Sequence, residues 1–150
     1  MAEPRPDPES LSVTDHWLAI IDPVGGVIPL LEGALHFSPS WVVDSSLDGE
    51  FLDRRGRQFV AVVYDAAVEA FGAAYDAGGC LRPDEPFQAV AWECHRLLLS
   101  CVLLARGLMA EDLPPIVSGH AGLDLVLKNF RKAEKMLQKH EPRREEASHV

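Results

Sequence analysis

Apolar residues recur at helical spacing in three long segments of the chain, and each segment predicts a helix. The first covers residues 57–77 and is amphipathic, with one polar side and one apolar side. Its polar side carries Gln58, Asp65, Glu69 and Asp76. The opposite side carries Phe59, Val62, Val63, Ala66, Ala70 and Ala73. Gly78 and Gly79 follow, and glycine commonly ends a helix, so this amphipathic helix is predicted to stop there.

The second segment, residues 87–108, is apolar almost all round between Leu97 and Ala105. Because a helix that is apolar on every side must be covered on every side, it is predicted at the centre of the fold. The first helix should pack beside it, since small side chains let helices approach closely. Those small side chains are Ala61, Ala66, Ala67, Ala70 and Ala73.

The third segment, residues 121–140, has one narrow apolar seam with lysines on the opposite side. The seam consists of Leu123, Val126, Phe130, Ala133 and Leu137. This alternation of spacings of three and four is typical of a helix that packs along a single line. The sequence leaves open whether the seam packs on the chain's own body or on a second copy.

The N-terminal part is less regular, and prolines divide its predicted elements. Thr14 is a suitable N-cap for a short helix over Asp15–Ile21, which Asp22 and Pro23 should interrupt because a residue before proline avoids helical geometry. Val27–Leu35 is either a second short helix or an irregular segment, since it contains Pro29. A further helical turn is predicted over residues 41–43.

These elements predict an all-α fold, a compact helical bundle of four to five helices. Residues 48–62 are ambiguous, because Gly56 could lie early in a helix or form the turn of a small β-hairpin. The chain of 150 residues is the size of one domain. We expect a disordered tail over residues 1–13, a single helical domain over residues 14–140 and a loose polar tail over residues 141–150.

Compartment and membrane signals are weak. The first residues are acidic and proline-rich, unlike a secretory signal, and the most apolar run is about nine residues long, short of the roughly 20 that a bilayer requires. The chain has three cysteines and no CxxC motif, which argues against a disulfide framework. They are Cys80, Cys94 and Cys101. We therefore expect a cytoplasmic protein with reduced thiols.

Charge is distributed unevenly along the chain. The formal net charge is −9, yet residues 128–144 carry seven bases and two acids, or +5. The remainder carries seven bases and twenty-one acids, or −14. The candidate interaction residues of this basic segment are Lys128, Arg131, Lys132, Lys135 and Lys139, with Phe130 in the adjacent seam. Nucleic acid is not the expected partner, because the acidic body would repel it.

Two constellations could carry chemistry, although none of the strong catalytic or metal-binding motifs occurs in the sequence. Asp65, Glu69 and Asp76 share a helix face and most simply form solvated surface. The residues Trp92, Cys94 and His95 could line a pocket, although neighbouring residues on a helix point about 100° apart and do not converge unaided. No metal or cofactor is expected, and catalytic residues cannot be assigned.

The favoured hypothesis is a small acidic protein–protein interaction module, as a monomer or a dimer. By compositional analogy alone, it would neutralise a basic partner as immunity proteins and antitoxins do. Its partner would be another protein or a second copy, and no membrane is involved. The alternative is a small-molecule-binding protein or enzyme with a pocket near Trp92, Cys94 and His95.

Overall fold

The structure, a computed structural model, describes residues 7–37, 54–110 and 119–142. Across these ranges it is helical, with no strand, and the predicted all-α bundle is confirmed at that level. The elements are a 3₁₀ helix Pro8–Ser10, α1 Val13–Phe37, α2 Arg54–Cys80, α3 Pro86–Ala110 and α4 Gly119–Lys139.

The four long helices form a ring in which each packs on two neighbours, in the order α1, α2, α3, α4 and back to α1. Neighbours run antiparallel. The early part of α1 meets the end of α4, where the Trp17 indole N–H donates to the Leu137 carbonyl at 2.7 Å. Likewise Phe71 of α2 stacks on His95 of α3. The architecture is an up-down-up-down four-helix bundle.

The core takes side chains of different size from different helices. The buried side chains of α2 are small, Val60, Val63, Ala67, Ala70, Ala74 and Ala77. Of the alanines predicted to pack, Ala67 and Ala70 are buried and the other three are half-buried. The prediction that α3 is covered on every side is wrong, because Leu99 and Leu103 are exposed. At Gly78, an added Cβ would lie 2.4 Å from a ring carbon of Trp92, so only glycine permits this approach. The prediction that the helix stops at Gly78 and Gly79 is wrong, because α2 continues to Cys80.

The prediction that prolines divide the N-terminal segment is wrong. Residues Val13–Phe37 form one continuous helix that contains Pro23 and Pro29. Its buried stripe consists of Trp17, Ile20, Val24, Val27, Ile28 and Leu31. Each proline costs roughly 3 kcal/mol in a helix interior, whereas each fully buried aliphatic side chain contributes about 1.5–3 kcal/mol. Burial along the whole stripe therefore outweighs both prolines.

The predicted fifth helix and the predicted hairpin are not supported. The two short N-terminal helices are one, and the turn predicted at 41–43 lies outside the described residues. The C-terminal part of the proposed hairpin is helix α2 from Arg54 onward, because Val60 and Val63 are both buried at helical spacing. Residues 48–53 lie outside the described residues.

Two of the helices are apolar over a considerable length. Val13–Leu35 and Pro86–Met109 are each long and apolar enough, by length and composition, to cross a membrane. The core helices of soluble proteins meet the same criterion, so this observation assigns no location. The predicted tails fall largely outside the described residues, but Pro8–Ser10 forms its 3₁₀ turn beside α2.

Candidate functional site

The apolar seam of α4 packs within the chain itself. Its five residues are fully buried between α1 and α3. Phe130 is the largest fully buried side chain in the described residues. The structure thus places Phe130 in the core, and only the opposite side of α4 is open to solvent.

The five basic residues predicted on α4 divide into two groups. Lys128 pairs with Asp124 one turn earlier at 2.9 Å, and Arg131 reaches Glu32 of α1 at 3.3 Å. The other three, Lys132, Lys135 and Lys139, are exposed and make no ion pair with any described residue. The cross-helix contact to Glu32 could not be read from sequence spacing, because it depends on how α1 packs on α4.

The three unpaired lysines line a groove of about 650 Å³ between α3 and α4, here called the basic groove. Its floor consists of Ala89, Val90, Leu97 and Met136. Its rim consists of Lys132, Lys135, Lys139, His140 and Glu93. Glu93, the one acid of the rim, pairs with Arg96 on its own helix. An apolar floor with ammonium groups along one edge suits an amphipathic anion.

A second surface lies on the other side of α3, where Trp92 and His95 meet α2. His95 stacks on Phe71 with ring centroids 4.4 Å apart. Trp92 makes edge contacts with His95 at 5.4 Å and with Tyr75 at 5.9 Å. Together with neighbouring aliphatic residues these rings form what we call the aromatic face. It comprises Val68, Phe71, Tyr75, Trp92, His95, Leu99 and Leu103.

The predicted grouping of Trp92, Cys94 and His95 is split by α3. Trp92 and His95 share the aromatic face, but Cys94 is buried on the opposite side, with its Sγ 3.9 Å from the Sδ of Met136. Burial raises the pKa of the Cys94 thiol to about 12, and that of Cys101 likewise to about 12. Both are therefore inert protonated thiols in the core. Cys80 is exposed.

A third feature, missed from the sequence, is a cavity of about 280 Å³ between α1 and α2. It is lined by Pro8, Leu11, His16, Ala19, Asp22, Pro23, Glu69, Ala73 and Asp76. His16 is only 2% exposed. Burial lowers the pKa of His16, opposed by smaller effects of a hydrogen bond to the Pro8 backbone and of Asp76 and Asp15. No local motif marks His16, which sits in an ordinary apolar helix pattern.

Of the predicted carboxylate trio, Glu69 and Asp76 reach this cavity but Asp65 does not. Within the described ranges, no group of three or more histidine, cysteine or acidic residues is arranged to hold a metal ion. The carboxylates therefore act here as local negative charge beside an apolar wall.

Comparisons with protein-family models, curated proteins and solved structures found no match. Function is therefore inferred from the geometry of this chain alone.

Proposed function

We propose that this protein is a protein-interaction module whose basic groove binds an acidic amphipathic helix of a partner protein. One observation carries the proposal. Among the basic residues of α4, the two that lie off the groove are paired within the chain, and the three that line the groove have no partner in the described residues. Cationic groups left unpaired beside an apolar floor are complementary to an acidic amphipathic segment.

The spacing of the lysines fits a helical partner. Lys132, Lys135 and Lys139 follow each other at three and four residues, so they form one line about 10 Å long on α4. A partner helix laid in the groove would place its apolar residues on the floor and its acids, at the same period, against this line. Two to three turns of such a helix would cover the groove.

Charge and burial have different roles in this proposal. Exposed ion pairs typically contribute only ~0.2–1 kcal/mol each, so affinity comes chiefly from covering Leu97 and Met136, the partly exposed aliphatic side chains of the floor. The lysines increase the association rate and exclude basic competitors. Binding should accordingly weaken with added salt, since charges at an open rim are screened.

The test uses a fluorescein-labelled synthetic helix with leucines on one side and glutamates on both flanks, titrated with the full chain. Controls are a scrambled peptide of the same composition and a peptide with lysines in place of the glutamates. We expect the acidic helix to bind best and Lys135→Glu to weaken it about tenfold or more. Lys128→Glu is the matched control, because it makes the same charge change on the same helix off the groove.

Three results would contradict the proposal: equal binding of the scrambled peptide, stronger binding of the lysine peptide, or equal weakening by Lys128→Glu and Lys135→Glu. Stronger binding of the lysine peptide would instead favour the basic partner expected from the net charge. Such a partner would bind the acidic side chains of α1 and α2.

A small-molecule function is the second candidate, and the cavity at His16 is the observation that favours it. The cavity combines an apolar wall with the carboxylates of Asp22, Glu69 and Asp76, so the ligand class would be a small organic cation. A thermal-melting series with ethylenediamine and tetramethylammonium, at constant ionic strength, tests it. A rise in Tm that Glu69→Gln removes would support the site, and no rise with either cation would exclude that ligand class.

A further inference from the structure

The aromatic face is the main exposed apolar surface of the described bundle. Of the seven large apolar side chains that are exposed in the described residues, four lie on it: Val68, Tyr75, Leu99 and Leu103. Tyr75 is 58% exposed and Leu103 is 55% exposed. Because α2 and α3 run antiparallel with Phe71 beside His95, Val68 and Leu99 come opposite each other one turn away. The exposed residues therefore form one continuous strip across both helices.

The rings of this strip hold each other in place. His95 contacts Phe71, Tyr75 and Trp92, with centroid separations of 4.4, 6.0 and 5.4 Å. Trp92 in turn rests against Gly78, where no side chain intervenes. Rings that are already fixed lose little conformational freedom when a partner covers them. Tryptophan and tyrosine in such settings are the residues that dominate interface energies.

The outer surface of α2 and α3, which has the aromatic face at its centre, is large enough for a stable dimer. Helices of 25 to 27 residues are about 37–40 Å long, and two neighbouring helices present a width of roughly 18–20 Å. The product is roughly 700 Å², close to the ~800 Å² that each partner contributes to a standard interface. A second copy of this chain would supply a surface of the same size, with the same apolar strip at its centre.

Charges at the edges of the face specify how a second copy would lie. Asp65 is on the outer edge of α2, and Arg106 is on α3 at the same end of the strip. Neither makes an ion pair with a described residue. A twofold axis parallel to the helices would lay α2 on α3 of the second copy and bring Asp65 within about one helical turn of Arg106 of the partner subunit. An axis perpendicular to the helices would instead lay α2 on α2 and α3 on α3, which separates Asp65 from Arg106 of the partner subunit.

We propose that this chain forms a homodimer through the aromatic face, with α2 of each copy packed on α3 of the other about a twofold axis parallel to the helices. The basic groove lies on the other side of α3 and stays open in this dimer. The dimer does not depend on the function proposed for the groove.

The experiment is sedimentation equilibrium of the full chain over a wide concentration range. The wild type should be dimeric, and Leu99→Glu should raise the dimer Kd roughly 30-fold or more, the size expected at an interface hot spot. Leu125→Glu is the matched control, because Leu125 is 41% exposed on α4 and Leu99 is 38% exposed. Circular dichroism checks that both variants remain helical.

A charge exchange tests the arrangement itself. Asp65→Arg and Arg106→Asp should each weaken the dimer several-fold, and the double variant should regain most of the loss because the pair is reformed with reversed sign. These surface changes also keep the test valid if Leu99→Glu fails to fold. A wild type that is monomeric at every concentration, dissociation by Leu125→Glu, or a double variant weaker than either single variant would overturn the proposal.

Discussion

Helix α3 separates two surfaces, the aromatic face and the basic groove. The rings of the aromatic face contact one another, whereas the lysines of the basic groove have no ionic partner in the described residues. On the α2 side, the rings of the aromatic face contact one another. The charged residues lie at the edges of this face. On the α4 side, the basic groove has an aliphatic floor and three lysines without an ionic partner in the described residues. A fixed apolar face fits a copy of itself, whereas unpaired like charges require a partner of opposite sign.

The largest expected effect comes from a core substitution, which should destabilise the whole bundle and therefore both surfaces. Phe130 is fully buried in the core of the bundle, so Phe130→Ala should lower the free energy of unfolding by about 3–5 kcal/mol through loss of burial and formation of a cavity. Urea denaturation measures this, with Leu125→Ala as the exposed control on the same helix. A loss near 1 kcal/mol would mean that the seam of α4 is not part of the core.

A substitution with a smaller effect should change the aromatic face and leave the basic groove unchanged. Gly78→Ala places a methyl group 2.4 Å from the Trp92 ring, so Trp92 must move or the helices must separate. Overpacking of this kind typically costs about 1–3 kcal/mol, more than the roughly 1 kcal/mol of helix propensity gained. We expect lower stability and a weaker dimer, measured by urea denaturation and sedimentation, with acidic-peptide binding unchanged. A more stable variant with an intact dimer would contradict this packing.

Salt should affect the two surfaces differently. Moving from low to moderate salt should weaken binding of the acidic peptide several-fold, because the rim lysines are exposed and screened. The dimer should change much less, because apolar contact dominates it. Fluorescence anisotropy and sedimentation in the same buffers provide the comparison. Equal salt sensitivity would show that the two surfaces do not differ in the proposed way.

Acid pH should lower stability modestly through two imidazoles, the buried His16 and the half-buried His95. Burial lowers the pKa of His16 and of His95 below the usual 6.5. Below about pH 6.5 the unfolded chain takes up protons that the folded chain does not, so the free energy of unfolding falls as pH falls towards the folded pKa values. Above that range this contribution to stability is fully present.

Denaturant titrations at several pH values measure this slope. His16→Gln should reduce it and leave the dimer intact, because His16 lies at the α1–α2 cavity rather than on the aromatic face. A stability that is constant from neutral to mildly acid pH would contradict the lowered pKa of both imidazoles in the folded chain.

The sequence was informative where side-chain periodicity is strong. The helices α2, α3 and α4 were predicted within a few residues of their bounds, because their apolar positions repeat at helical spacing. The single helix α1 was not predicted, because the local effect of Pro23 and Pro29 is overcome by burial that only the assembled bundle provides. Local rules misplace an element where tertiary packing opposes them.

Surfaces were harder to predict than elements. Phe71 and Tyr75 are apolar at helical spacing, so their sequence pattern does not distinguish an exposed face from a core. The sequence also did not show which basic residues of α4 are paired, because Arg131 forms its ion pair with Glu32, which is distant in the chain. The split of Cys94 from His95, in contrast, follows from the 100° between neighbouring helical residues.

The most direct test of two independent surfaces is native mass spectrometry of the wild-type chain with the acidic peptide. We predict a dimer that binds up to two peptides, one for each basic groove, with no loss of dimer as peptide is added. A chain that is monomeric when the peptide is bound, or a dimer that binds no peptide, would contradict the account.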